Sequence, residues 1–174
     1  MIAMSDLLAV VPDCSRVVAL AGLKAVKQEP QGGRRRVEPL VLEWDQQDIA
    51  HSGVVPPLGG ADIDLPGPMT VEWELPEGAE RVAGWVEMPR EDWDWGDCVL
   101  VMGVSRADGR FVEMLRDRVN AEAPIVEFNL DLASVISIAP QRFRVVVEPG
   151  EHGPIQDRLV IKRALVAVRG EAAK

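Results

Sequence analysis

The chain has 174 residues, enough for one domain with a well-buried core, and 47% hydrophobic with 27% charged residues is the composition of a folded soluble chain. Its 19 Lys and Arg against 28 Asp and Glu leave a formal net charge of −9. This argues against a nucleic-acid backbone or an anionic membrane surface as partner, since both require a basic face; neutral ligands, cations and protein partners remain.

The first eleven residues have no basic leader region, Asp6 interrupts their apolar stretch, and Pro12-Asp13 follows. No secretory signal is expected, and the default expectation is a cytoplasmic protein or a module of a longer one. The apolar runs fall short of the ~20 residues that a membrane helix needs. Of the two cysteines, Cys98 lies in an apolar run and reads as a buried small hydrophobe, while Cys14 reads as the more exposed thiol.

Residues 5–11 read as a short helix stopped by Pro12. Residues 16–26 allow a helix by spacing, but Val17-Val18 and Gly22 favour a strand or a short irregular segment. Residues 27–37 carry Pro30, Gly32-Gly33 and Arg34-Arg35-Arg36 and read as an exposed basic linker. The organisation expected is therefore an N-terminal arm and linker over 1–36, a β-sandwich over 37–169 and a tail over 170–174.

Within the sandwich, residues 38–44 alternate, with Leu40, Leu42 and Trp44 on one face. Residues 45–68 are rich in Gly, Pro and Asp and read as a long loop. Residues 69–75 set Met69, Val71, Trp73 and Leu75 against Thr70, Glu72 and Glu74. Residues 81–88 place Val82, Gly84, Val86 and Met88 on one face and Ala83 and Trp85 on the other. The run 98–104 is apolar on both faces, as a strand covered on both sides must be. Asp108-Gly109 then signals a tight turn into a return strand from Phe111, followed by a polar stretch over 116–124. Residues 125–130 and 143–147 alternate, 132–138 admit a helical turn or a strand, and 157–168 form a last strand apolar on most positions of both faces. Prolines fall between the runs. The pattern is all-β: an antiparallel sandwich or barrel, with 98–104 and 159–168 as central strands.

The order from Met69 onward is an alternating strand with Trp73-Glu-Leu75, the strand over 81–88, an acidic loop bearing tryptophans, the Asp108-Gly109 hairpin and a closing strand Asp157-Arg-Leu-Val-Ile-Lys-Arg-Ala-Leu. Over residues 40–168 this resembles jelly-roll β-sandwich modules of the galactose-binding-like and carbohydrate-binding kind. The resemblance is one of architecture. It implies ligand binding at loops or on a concave face, often with a structural Ca²⁺.

The functional reading rests on Glu91-Asp-Trp-Asp-Trp-Gly-Asp97, the one dense mixture of tryptophan and carboxylate. Trp93 and Trp95 lie two apart, so an extended segment projects both to one side as platforms for sugar rings. Asp92, Asp94 and Asp97 then supply acceptors for hydroxyls, or oxygen ligands if Ca²⁺ is held. Trp85, opposite the apolar face of its strand, is the second aromatic of such a surface. The ordinary alternative is a tryptophan plugging the sandwich end beside solvated or turn-capping aspartates, and the absence of Tyr counts against a sugar site. His51 and His152 sit in Gly/Pro loops without a nucleophile motif, so a non-catalytic module is expected. The leading expectation is a carbohydrate-binding accessory module. The alternative is a structural or assembly module, as in a larger complex, a surface layer or a phage particle, with oligomers formed through strand edges or the arm.

Overall fold

A computed structural model of the chain describes residues 14–30, 62–135, 141–153 and 156–169. The expected helix over 5–11, the strand over 38–44 with Trp44, most of the long loop with His51, the Arg34–Arg36 run and the tail over 170–174 lie outside the described residues. Among the described residues there are ten strands: β1 (Cys14–Ala19), β2 (Ala25–Pro30), β3 (Ile63–Leu65), β4 (Met69–Glu74), β5 (Ala79–Glu87), β6 (Asp97–Ser105), β7 (Phe111–Asn120), β8 (Ile125–Asp131), β9 (Arg142–Pro149) and β10 (Leu159–Arg169). The helical elements among the described residues are three short 3-10 turns.

The strands form two five-stranded sheets in which every pairing is antiparallel. One runs β1-β10-β5-β8, with β3 also paired to β10; the other runs β2-β4-β9-β6-β7. The all-β sandwich expected from the sequence is thus the observed architecture. Its two strands of doubly apolar sequence lie inside the sheets: β6 between β9 and β7, and β10 between β5 and the β1/β3 side. Within the stretch expected as an N-terminal arm, β1 pairs with β10 and β2 with β4. Among the described residues β1 is the terminal strand of its sheet, which fits the weak alternation around Val17-Val18.

Inward side chains from both sheets make one core. Trp73, Phe143, Leu100, Met102, Val82, Val86, Ile161 and Val166 are all within it, and Trp73 is fully buried as its strand face predicted. Cys98 is buried here too, its Sγ donating to the Val119 carbonyl, and burial pushes the thiol up to about 12. The Asp108-Gly109 turn forms as read: Gly109 takes φ +81°, and Asp108 Oδ1 accepts from Arg110 N at 2.9 Å. The return strand β7, however, continues through the polar residues 116–120. As an edge strand it carries charged side chains toward solvent without penalty.

Two residues expected on the solvent side of β4, Thr70 and Glu72, are buried. Glu72 sits on the outer face of its sheet, where Ser105 Oγ and Arg144 Nε donate to Oε1 at 2.9 and 2.6 Å. The Arg144 guanidinium in turn lies 4.9 Å from the centroid of the Phe111 ring. Phe111 reaches across Gly103: a Cβ there would meet the Phe111 ring at 2.8 Å and the Val112 carbonyl oxygen at 2.0 Å. Gly103→Ala should therefore force β6 and β7 apart and lower stability by about 3 kcal/mol, whereas Gly22→Ala, with nothing within 4 Å of the added carbon, should leave the denaturation midpoint nearly unchanged.

Candidate functional site

The site begins where β5 ends. Met88 is the last core residue, and after Pro89 the chain makes a 3-10 turn over Arg90–Asp92. Gly96 N donates back to the Asp92 carbonyl at 2.8 Å. A side chain at Gly96 would meet that oxygen at 2.4 Å and Met88 Sδ at 2.6 Å, so glycine is required for the segment to close on itself. Residues 93–95 are consequently turns, not the extended segment assumed from the sequence, and the two-residue spacing does not place the indoles side by side.

The tryptophans nevertheless face one cleft. Trp93 is half-buried against the core, with Nε1 donating to the Met88 carbonyl at 3.0 Å and the Arg90 guanidinium 5.4 Å from its ring centroid. Trp95 is 57% exposed. Its ring meets His152 edge-on, at 5.9 Å between centroids and 81° between planes, and its backbone N–H donates to Gln156 Oε1 at 3.1 Å. The cleft has a volume of about 320 Å³. Trp93, Asp94, Trp95, Gly96 and Asp97 line one side, Arg118, Asn120, Ala121 and Glu122 another, and His152 completes it. Of the residues singled out in the sequence, this brings together Trp93, Asp94, Trp95 and Asp97.

Trp85 and Asp92 are not in its lining. Trp85 lies half-buried on the outer face of the first sheet, opposite Lys162 of β10 and Glu127 of β8. Asp92 is half-buried, and burial raises its pKa despite the nearby Arg158; Glu91 and Asp64 push the same way. Arg158 itself pairs with Asp64 at 2.8 Å and Glu91 at 3.3 Å. Among the described residues no group of three or more His, Cys, Asp or Glu side chains is gathered to hold a metal ion, so Asp92, Asp94 and Asp97 do not form the Ca²⁺ set considered from the sequence.

Asp97 has a different role from the one expected. The residue is 3% exposed and its carboxylate accepts three hydrogen bonds: Arg118 Nε donates to Oδ1 at 2.6 Å, and Arg118 Nη2 and Glu151 N donate to Oδ2, each at 2.9 Å. The Arg118 bond is the main cause holding this carboxyl below its ordinary range. Asp97 is therefore a clamp: three of its acceptor sites are spent inside the protein and the residue is almost wholly withdrawn from solvent. Its backbone is engaged as well, its carbonyl accepting from Gly150 N at 2.8 Å and its N–H donating to Asp157 Oδ1 at 3.1 Å. Gly150 is a position of close approach, since a Cβ there would lie 2.1 Å from that carbonyl oxygen.

Arg118, Asn120, Glu122 and His152 were missed by sequence reading. The first two carried a usable signal. Counting outward from the Asp108-Gly109 turn sets the end of β7 against the start of β6 to within one residue, and a register shift between Met102 and Gly103 brings the observed pairs to Asp97 with Asn120 and Val99 with Arg118. Glu122 follows in the β7–β8 turn, which Asn120 Oδ1 caps by accepting from Glu122 N and Ala123 N, each at 3.0 Å. Nothing in the sequence pointed to His152.

No protein-family model matches the chain, and no curated protein matches it by sequence. Solved structures do match its fold. A chain with the CBM51-2 and INT domains of Clostridium perfringens ZmpB superposes at a TM-score of 0.59 and 15% identity, covering 91% of this chain and 33% of its own, so this chain spans about a third of that one. The CBM51 of Clostridium perfringens GH95, in complex with methyl-galactose, gives 0.55 at 12% identity over 87% of this chain and 100% of its own. The xylan-binding module CBM15 gives 0.51 at 9% identity over 91% and 99%. The fold is a β-sandwich shared with these carbohydrate-binding modules, as the architectural resemblance implied.

Behind Asp97 lies Asp157, 1% exposed, whose Oδ2 has no partner among the described residues; burial raises its pKa to about 6. A carboxyl with a raised folded-state pKa contributes stability that is complete at low pH and lost as pH rises through about 6. The depressed Asp97 behaves oppositely, contributing at neutral pH and losing its contribution on acidification. Asp157→Asn removes the first dependence. Its unfolding free energy relative to the natural chain should therefore shift in its favour by up to about 3 kcal/mol between pH 4 and pH 8, measured by denaturant titration across that range.

Proposed function

We propose that this chain is a non-catalytic carbohydrate-binding module whose ligand occupies the cleft against Trp95. The observation that carries this reading is the exposure of the Trp95 indole at the mouth of a polar cleft, with its backbone tied to Gln156 and its ring braced by His152. A large apolar ring held toward water presents a flat face suited to the C–H surface of a pyranose. Groups around it complement hydroxyls: Asp94 and Glu122 accept, while Asn120, whose Oδ1 is spent on the turn, has its amide N–H₂ to donate. Trp93, with its indole N–H committed to Met88 and Arg90 over its ring, acts as a wall of the cleft. The likeness in fold to carbohydrate-binding modules supports the same reading.

A second reading, an assembly module, draws on β8. Among the described residues it is the terminal strand of its sheet, and Ile125 at its start is 54% exposed. A segment pairing along this edge would cover Ile125. Concentration-dependent association, abolished by Ile125→Lys in light scattering, would be the signature of that role.

For the carbohydrate reading, tryptophan fluorescence titrated with a panel of mono- and disaccharides should saturate for at least one sugar. Trp95→Ala should weaken that binding by roughly tenfold or more while the far-ultraviolet circular dichroism and melting temperature stay unchanged, because the ring is largely exposed. Retention of full affinity in Trp95→Ala would remove the cleft as the site.

A further inference from the structure

The charges around the cleft restrict what kind of sugar it takes. The lining carries three carboxylates, Asp94, Asp97 and Glu122, against a single guanidinium, Arg118. The charge of that guanidinium is already balanced: Nε and Nη2 are bound bidentately by Asp97 at 2.6 and 2.9 Å, and Glu151 Oε1 stands 3.4 Å from Nη2. With Asp97 cancelled by Arg118, the acidic charges of Asp94 and Glu122 remain in the wall, and Glu151 stands beside it. The Asp97 clamp also fixes the orientation of Arg118. Both Nε and Nη2 point at Asp97, which leaves Nη1 uncommitted among the described residues.

We infer that the cleft selects uncharged saccharides and rejects acidic ones, with Arg118 Nη1 as the fixed donor that selects hydroxyl acceptors and Asp97 as the residue that positions it. This rests on the carbohydrate reading and adds the class of sugar to it. An acidic sugar brings a carboxylate into a wall with excess negative charge. The one cation available to it is neutralised twice, and stripping Arg118 from Asp97 would leave a buried carboxylate unpaired. A hydroxyl makes no such demand, since a neutral acceptor can take the Nη1 hydrogen without disturbing the clamp. The arginine alone would suggest an anion site; its partners reverse that reading.

The test uses pairs of methyl glycosides that differ only at C6: galactoside against galacturonide, and glucoside against glucuronide, titrated calorimetrically at low salt with His152 uncharged. The uncharged member of a binding pair should be favoured by roughly tenfold or more, the scale of an uncompensated unit charge a few ångströms away in a partly wet site. Raising the salt should shrink the ratio. The double variant Asp94→Asn with Glu122→Gln keeps the shape of both side chains and should also bring the ratio toward one. Arg118→Ala should weaken the neutral glycoside. A uronide bound as tightly as its neutral partner overturns this inference alone and leaves the carbohydrate reading standing. No binding by either member of any pair, nor by any sugar of the wider panel, overturns both.

Discussion

The candidate site depends on the burial of one charge. Asp97 is the first residue of β6, and a carboxylate removed from water must be met by charge and hydrogen bonds or it costs the fold several kcal/mol. It is met from two separate parts of the chain, Arg118 near the end of β7 and the backbone N–H of Glu151 after β9, while Asp157 ahead of β10 receives the Asp97 backbone N–H. One side chain thus ties the end of the sandwich together where the β5–β6, β7–β8 and β9–β10 connections meet. The same commitment that removes Asp97 from the pool of free acceptors gives Arg118 its orientation and brings the β9–β10 loop, with His152, against Trp95. A cleft built this way is pre-formed, which reduces the ordering that a ligand must bring about.

A second buried carboxylate does comparable work on the other side of the molecule. Glu72, on the outer face of the β2-β4-β9-β6-β7 sheet, gathers Ser105, Arg144 and, at 3.4 Å, Arg142. The ring of Phe111, with the Arg144 guanidinium beside it, lies over Gly103, and Val101, buried on the same outward face of β6, stands in register between Val146 of β9 and Arg116 of β7. This explains how β6 can be apolar on both faces in a two-layer sandwich: one face meets the opposite sheet, the other is roofed by charged side chains whose aliphatic stems pack downward.

What could be read from the sequence follows from local periodicity. The alternation in 81–88 and 125–130 identified core-facing Val82, Val86, Val126, Phe128 and Leu130 because a strand's faces follow a period of two, whatever its partner. The tight turn at Asp108-Gly109 was legible because only a few residues accept φ > 0. The polar end of β7 and the edge strands β1 and β2 were not, since an edge strand has weaker patterning and its existence depends on a partner distant in sequence. The Trp/Asp stretch 91–97 marked the right region by composition, yet its extended geometry was wrong, because Gly96 closes it into turns only when Met88 and Gln156 are in place.

By itself, the sequence determined the all-β class, the central position of β6 and β10, the burial of Trp73 and Cys98, and the loop around which a site should be sought, all set by interactions between near neighbours in the chain. The tertiary structure decided the rest. It separated Trp85 and Asp92 from the cleft, turned Asp97 from a ligand acceptor into a clamp, and brought Arg118, Asn120, Glu122 and His152 to the two tryptophans. The physical reason is that whether a carboxylate is free or spent, and whether an indole is platform or core, depends on which distant groups the folded sheets place within hydrogen-bond reach.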